Sequence, residues 1–185
     1  MARRLPHSPH RQAGFTLVEL MIGIAILAIL AMVAVPAFNE AAMNSKLTSY
    51  ANTFSASLRM ARSEAIKRNA PVKMCASSDG TNCASTGDWQ QGWIVFQDTD
   101  DDGVLDSGET RFLQEPALGG DYLLGEGSTP PTALKFLGSG MTSLAAQLDL
   151  TLCRATPEPG SKKRTLSIDV TGRAKVASES ATTCP

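Results

Sequence analysis

The feature that most constrains this chain is an apolar segment of 24 residues, Phe15 to Phe38, in which Glu19 is the only charged side chain. About twenty apolar residues in a helix, at about 1.5 Å rise per residue, cross a hydrocarbon layer of about 30 Å. Residues 1–14 before it contain three arginines and no acidic residue. Because arginine and lysine favour the cytoplasmic side of a membrane, the sequence predicts a single span with residues 1–14 in the cytoplasm.

Two residues distinguish this segment from other apolar segments near an N-terminus. On insertion scales, placing the Glu19 side chain in lipid costs about 2.5–3.5 kcal/mol, so the carboxylate requires a partner. A plain membrane anchor has no need of an acidic residue in its span. A secretory signal would be shorter and would be followed by a small-residue cleavage site. Pro36, near the end of the span, is expected to kink or locally open the helix.

Helical periodicity continues beyond the span, over residues 39–70, but only one face stays apolar. The apolar stripe, with its three- and four-residue steps, consists of Phe38, Ala42, Leu47, Tyr50, Ala51, Phe54, Leu58, Ala61 and Ala65. We expect the helix to end at Asn69 and Ala70, because Pro71 disfavours the α region for the residue before it. The sequence therefore predicts one helix of about fifty residues, apolar all round at first and amphipathic at its end.

Residues 71–185 change to short segments with strand periodicity. Alternating apolar residues between turn residues predict strands at Val72–Ala76, Gly92–Gln97, Thr110–Glu115, Ala133–Leu137, Gln147–Cys153, Arg164–Val170 and Arg173–Val176. Pro116–Pro131, rich in glycine and proline, is predicted to be an irregular connection, and Thr171–Gly172 a tight turn. We therefore expect an α+β fold in which the long N-terminal helix packs on an antiparallel β-sheet.

The four cysteines, Cys75, Cys83, Cys153 and Cys184, all follow the apolar span. None forms a C-x-x-C pair, and the chain has only two histidines, which argues against a zinc site. An even number of cysteines beyond a membrane segment predicts two disulfides made in an oxidising compartment. Of the three possible pairings we favour Cys75–Cys83 with Cys153–Cys184, and buried free thiols are the alternative.

One acidic loop has the spacing of a calcium ligand set. Asp98, Asp100, Asp102, Asp106 and Glu109 follow the D-x-D-x-D-G-x5-E pattern of an EF-hand loop, with a glycine at the sharp turn. Strands rather than helices are predicted on both sides, so the alternative is a solvated hairpin loop whose aspartates and glycines serve turn geometry. If calcium binds, we expect a weak site, with a dissociation constant of about 10⁻⁴–10⁻³ M.

Five basic residues near the C-terminal end are candidates for contact with DNA phosphates: Lys162, Lys163, Arg164, Arg173 and Lys175. Without the three arginines of residues 1–14, however, 14 of the 17 basic side chains remain against 18 acidic ones, a net charge of −4. Dedicated nucleic-acid binders normally carry a basic balance, so a solvated strand face is the favoured interpretation.

The sequence contains no evident set of catalytic residues. Both histidines, His7 and His10, lie in residues 1–14, so the rest of the chain has no histidine to act as a general base. No nucleophile elbow, phosphate loop or dinucleotide-binding glycine pattern is present. Trp89 and Trp93 flank the start of a predicted strand and are expected in the core rather than at a ligand platform. We therefore expect no enzymatic function.

The order Gly14-Phe15-Thr16-Leu17-Val18-Glu19 resembles the prepilin signature of the type IV pilin and type II secretion pseudopilin superfamily. The resemblance implies a class III prepilin in the bacterial inner membrane, cut between Gly14 and Phe15 by a leader peptidase that also N-methylates Phe15. It implies that Glu19 pairs with the terminal amine of a neighbouring subunit, which supplies the cation that a carboxylate in lipid needs.

The same resemblance divides the chain into four segments. Residues 1–14 are then the leader, residues 15–38 the transmembrane and filament-core helix, residues 39–70 its amphipathic continuation, and residues 71–185 a periplasmic antiparallel β domain.

The part beyond the span resembles the GspH/FimT family of minor pilins and pseudopilins. The similarity lies in Ala61–Ile66, in Gly92–Phe96 leading to the acidic loop, in Cys153 and in Thr171-Gly172-Arg173. It implies a minor subunit that joins other pilins or pseudopilins in a filament-tip complex and primes assembly. We expect a minor pilin that initiates or caps a type IV pilus. The alternatives are the H-type minor pseudopilin of a type II secretion system and a DNA-binding minor pilin for natural transformation.

Overall fold

A computed structural model describes residues 14–125, 131–155, 162–180 and 184. Of the expected leader, only Gly14 lies within these residues. The chain divides into two compact units, residues 1–39 and residues 40–185.

A single α-helix, α1, runs from Leu17 to Arg68. Thr16 caps its first turn, since the Thr16 hydroxyl accepts the backbone N–H of Glu19 at 3.2 Å. The helix ends at Arg68, and the next residue, Asn69, has a φ of 49°. The length expected from the sequence is therefore confirmed, and Asn69, which accepts a left-handed conformation more readily than most residues, terminates the helix together with Pro71.

The N-terminal unit contains the apolar part of α1. Its large apolar side chains are exposed over the whole segment, from Phe15 to Phe38. Among the described residues, α1 is the one helix long and apolar enough to cross a membrane, judged by length and composition. Pro36 lies inside α1, and a kink there stays a prediction.

The second unit contains eight strands in two four-stranded antiparallel sheets. The strands are β1 (Val72–Ala76), β2 (Trp93–Phe96), β3 (Arg111–Glu115), β4 (Tyr122–Gly125), β5 (Ala133–Phe136), β6 (Leu148–Arg154), β7 (Lys162–Ile168) and β8 (Ala174–Ser180), and a 3-10 helix (Trp89–Gln91) precedes β2. The strand orders are β3-β2-β1-β5 and β4-β6-β7-β8. The α+β class is thus confirmed, whereas the single sheet expected from the sequence is divided into two.

Two strand predictions were wrong for a common reason. Pro116–Pro131 was expected to be irregular throughout, yet β4 lies within it and pairs with β6. The last strand was expected to end at Val176, yet β8 continues to Ser180, although most of its side chains are exposed. In both segments the pairing with another strand, β6 for β4 and β7 for β8, decides how far the strand extends, and the local sequence does not show that pairing.

The core of the second unit forms where the stripe of α1 meets both sheets. Six stripe residues are buried: Leu47, Ala51, Phe54, Leu58, Ala61 and Ala65. Phe54 makes edge-to-face contacts with Trp89 and Trp93 at centroid distances of 5.2 and 5.1 Å. Both tryptophans are almost fully buried, as expected. Phe38 and Ala42, which the stripe included, are exposed.

Candidate functional site

The residues of the expected cleavage and assembly site lie at the start of α1. Gly14 and Phe15 precede the helix and are exposed, and Glu19 lies exposed in its first turn. A shallow groove of about 240 Å³ runs between Phe15, Glu19, Gly23 and Leu27. Apart from the nearby backbone of α1 itself, no heavy atom of the described residues lies within 4 Å of the position that a Cβ of Gly23 would take. The carboxylate of Glu19 therefore stands at an open apolar groove, where a cation from another molecule can reach it.

The acidic loop between β2 and β3 brings together three of its five candidate ligands. Asp98, Asp100 and Asp102 each offer a carboxylate oxygen, and these oxygens lie within 4.8 Å of one another. Glu109 makes a different set of contacts, since its Oε1 accepts the backbone N–H of Thr99 at 2.6 Å. Its Oε2 accepts the backbone N–H of Asp106 at 3.3 Å. Glu109 thus braces the ends of the loop against each other.

Two lysines outside the loop neutralise part of its charge. Lys73 on β1 pairs with Asp98 and, at 3.1 Å, with Asp101. Lys135 on β5 pairs with Asp101 at 2.8 Å. Lys73 and Lys135 are register partners across β1 and β5, which brings both ammonium groups to one side of the sheet. The sequence analysis missed both lysines, because only the long-range pairing of β1 with β5 places them beside the loop.

These contacts shift ionisation within the loop. Hydrogen bonds from Lys135 and Lys73 lower the pKa of Asp101. Burial alone would lower the pKa of Lys73, but its bonds to Asp98 and Asp101 outweigh burial and raise it. Desolvation, followed by the charges of neighbouring carboxylates, raises the pKa of Asp106. The loop is therefore crowded with negative charge at the end that the lysines do not reach.

The five basic candidates for DNA contact do not form one patch. Lys162 and Lys163 lie at the start of β7, whereas Arg173 and Lys175 lie at the hairpin that follows its other end. At about 3.3 Å rise per residue, the two ends of β7 are about 20 Å apart. Arg164, the remaining candidate, is 8% exposed.

The guanidinium of Arg164 is committed to contacts within the chain. It donates to the Asn44 Oδ1 at 2.8 Å and to the Thr48 hydroxyl at 3.0 Å, both on α1. It also donates to the Ser178 hydroxyl on β8 at 2.8 Å. Arg164 therefore links a helix and two strands, and its side chain is not available to a phosphate.

A different basic feature lies between the last turns of α1 and the β7–β8 hairpin. Arg59, Arg62 and Arg173 line a groove of about 390 Å³ with Ile66 on its wall. The Arg62 Nε donates to the Gly140 carbonyl at 3.0 Å, which fixes the direction of that guanidinium. Three guanidinium groups around one groove favour an anion such as a carboxylate or a phosphate. The sequence analysis missed it because the helical arginines are remote from Arg173 along the chain.

Both favoured cysteine pairs are joined in the structure. Cys75 on β1 bonds to Cys83, with the two Cα atoms 5.5 Å apart. Cys153 on β6 bonds to Cys184, with the Cα atoms 5.7 Å apart. The first disulfide closes a loop beside the acidic loop, since the backbone N–H of Cys83 donates to the Gly103 carbonyl at 2.9 Å. The second ties the C-terminal segment to the second sheet.

Comparison with known families identifies the chain. The family model described as type II transport protein GspH matches residues 50–172, which is most of the second unit and more than half of the chain. The chain belongs to the GspH family. A model of the prokaryotic N-terminal methylation motif matches residues 9–35 of this GspH-family chain. Both matches agree with the resemblance found in the sequence.

Solved structures similar to this GspH-family chain include a type IV minor pilin and a minor pseudopilin. The type IV minor pilin FimU of Pseudomonas aeruginosa, in one crystal form, is 24% identical over 72% of this chain and 90% of its own, with a TM-score of 0.54. A second crystal form of FimU gives 26% identity over 71% and 92%, with a TM-score of 0.51.

The minor pseudopilin EpsH from the type 2 secretion system of Vibrio cholerae is 18% identical over 71% of this chain and 96% of its own. Its TM-score of 0.46 is too low to bear on function. No curated protein sequence matches the chain significantly.

Proposed function

We propose that this GspH-family protein is a minor pilin of a type IV pilus that helps to initiate or cap the filament. The observation that carries the proposal is the division of α1. Its N-terminal part is apolar and exposed, with Glu19 in the first turn, whereas its C-terminal part is buried against two sheets. An exposed apolar helix with one carboxylate suits packing among other such helices in a membrane and then in a filament core.

The residues at and just before the start of α1 have defined roles in this proposal. The bond between Gly14 and Phe15 is cut by the prepilin peptidase, which then N-methylates Phe15. Glu19 pairs with the terminal amine of a neighbouring pilin, because assembly supplies the cation that the carboxylate lacks in lipid. The second unit lies in the periplasm before assembly, since the arginines of residues 1–14 favour the cytoplasmic side. The protein acts by binding other subunits rather than by catalysis.

The likeness to FimU supports the pilus over the secretion pseudopilus. FimU is a type IV minor pilin, and one of its crystal forms reaches 26% identity over 71% of this chain. The H-type minor pseudopilin of a type II secretion system remains the closest alternative, because it would use the same first turn of α1 and the same family fold.

Deletion of the gene in the native host tests the proposal. We expect loss of surface pili and of twitching motility, with secreted enzyme activity unchanged. Re-expression of the unmodified chain in the deletion strain should restore pili and is the control. Loss of secretion with normal pili would overturn the pilus proposal and favour the pseudopilus.

A role in DNA capture is a second candidate, supported by the groove that Arg59, Arg62 and Arg173 line. Guanidinium groups bind phosphate oxygens well, but three contacts give only modest affinity for DNA at physiological salt. The same deletion strain tests this second role. Normal DNA uptake by that strain would exclude capture by this protein.

A further inference from the structure

The loop between β2 and β3 carries more negative charge than its neighbours neutralise. Two lysines pair with Asp98 and Asp101, as described above. Within the described part of the chain, no lysine or arginine forms an ion pair with Asp100, Asp102 or Asp106. These three side chains are exposed, so water screens them, but their mutual repulsion favours a bound cation.

Three carboxylates of this loop already have the separation that one cation requires. The oxygens offered by Asp98, Asp100 and Asp102 lie within 4.8 Å of one another. Calcium binds carboxylate oxygens at about 2.3–2.6 Å, so two oxygens on opposite sides of the ion are at most about 5 Å apart. The three aspartates can therefore contact one calcium ion with little rearrangement.

The buried member of the cluster carries an oxygen without a partner. Asp98 is 3% exposed, and its Oδ1 has no hydrogen-bond partner among the described residues. Its other oxygen, Oδ2, accepts the backbone N–H of Gly103 at 3.1 Å and pairs with Lys73. A buried carboxylate oxygen left unpaired is costly, so such an atom normally contacts a hydrogen-bond donor, an ordered water or a bound ion. With Oδ2 engaged, Oδ1 is the atom that Asp98 has free for the cluster.

We propose that Asp98, Asp100 and Asp102 form a calcium-binding site, with Asp98 as the buried ligand and the two exposed aspartates as its partners. Gly103, at a φ of 80°, provides the turn that directs the three side chains to one point. Glu109 holds the ends of the loop through Thr99 and is not among the three ligands. The site does not depend on the assembly role proposed above.

Calcium at this site would fix the position of two loops together. The Leu105 backbone N–H donates to the Thr81 carbonyl at 3.0 Å, so the acidic loop pairs with the loop closed by Cys75 and Cys83. The Lys73 ammonium beside Asp98 repels the ion and keeps binding weak. We expect a dissociation constant of about 10⁻⁴–10⁻³ M, as in extracellular calcium modules.

Calorimetric titration of the full chain tests the site. The chain is purified in nonionic detergent, stripped with a chelator, dialysed and titrated with calcium chloride. We expect one saturable phase with a stoichiometry of one ion per chain, and a higher melting temperature with saturating calcium. Magnesium chloride should bind more weakly, because magnesium demands a smaller, octahedral site.

Two double variants distinguish the site from general attraction to acidic groups. Asp100→Ala/Asp102→Ala should weaken calcium binding at least about tenfold, and should fold normally because both side chains are exposed. Asp121→Ala/Asp149→Ala removes the same charge from exposed positions outside the loop and should bind like the unmodified chain. The proposal is overturned if the unmodified chain gives no saturable heat, if the loop variant binds equally well, or if magnesium binds as tightly.

Discussion

The buried guanidinium of Arg164 shows how one side chain can join elements that are distant in the sequence. Three of its acceptors lie on α1 and on β8, while Arg164 itself lies on β7. In the sequence it stands between two lysines and a threonine, as part of a basic segment, and nothing local distinguishes it from its neighbours. Its structural role depends on the register of β7 with β8 and on the helix packed beside them, which a local pattern does not encode.

Replacing Arg164 by lysine should destabilise the second unit. Lysine keeps the charge but lacks the planar fork that reaches Asn44, Thr48 and Ser178 together. Hydrogen bonds to a charged group contribute about 1.5–3 kcal/mol each, so we expect a loss of about 2–3 kcal/mol in the free energy of unfolding. Thermal unfolding of the full chain in detergent, compared between the variant and the unmodified chain, measures this loss of stability.

The matched control is Arg173→Lys, because Arg173 is exposed in the turn that joins the same two strands. It should leave the melting temperature almost unchanged. Equal melting temperatures for the two variants would show that the Arg164 contacts do not stabilise the fold.

The elements of this protein differ in how far the sequence predicts them. The helix and β1 were predictable within a few residues, because their periodicity is strong and Asn69 and Pro71 mark the C-terminal end of the helix. The tight turn at Thr171–Gly172 is present, with Gly172 at a φ of 77°. The division into two sheets was not predictable, since it depends on which strands pair across long separations. The position of Lys73 and Lys135 beside the acidic loop was not predictable for the same reason.

The two disulfides should stabilise the fold to different extents. Cys153 and Cys184 are 31 residues apart in the sequence, whereas Cys75 and Cys83 are 8 residues apart. In the chain-entropy model, loss of Cys153–Cys184 costs about 3.7 kcal/mol and loss of Cys75–Cys83 about 2.6 kcal/mol. Unfolding of the two double serine variants, compared with the unmodified chain, measures both losses.

If loop length alone decides, the variant without the Cys153–Cys184 disulfide is the less stable of the two. The reverse order would show that packing of the buried Cys75 sulfur outweighs loop closure. Unchanged stability in both variants would contradict a stabilising role for the disulfides.

At the scale of the whole molecule, the protein combines an apolar helix segment with a unit that has its own core. Residues 9–35 match the N-terminal methylation motif, and residues 50–172, within the second unit, match the GspH family model. The resemblance of both parts to known families could be found from the sequence, because fixed residues in a fixed order define it. The choice between pilus and pseudopilus could not, because the methylation motif and the GspH family match do not separate the two.

Substitution of Glu19 by valine should separate membrane insertion from assembly. Valine suits the apolar segment, so the variant should still be inserted and cut between Gly14 and Phe15. Without the carboxylate, the terminal amine of a neighbouring subunit has no partner, and we expect little of the variant in sheared pili. Immunoblots of the membrane and pilus fractions from the native host measure both amounts.

The matched control is Glu40→Val, which removes an exposed carboxylate from the same helix. It should reach the pilus fraction in normal amounts. Equal amounts of the Glu19→Val variant and the unmodified chain in that fraction would refute the assembly role of Glu19.

The distribution of buried residues along α1 also affects how the sequence can diverge. Among the described residues, no buried apolar side chain precedes Leu47. Substitutions in residues 17–42 therefore leave the packed core intact, and in the proposed role natural selection acts on them through membrane insertion and contact with other subunits. Substitutions on the buried stripe beyond Leu47 are instead selected through folding. One continuous helix is thus expected to evolve at two different rates, with the change of rate close to Leu47.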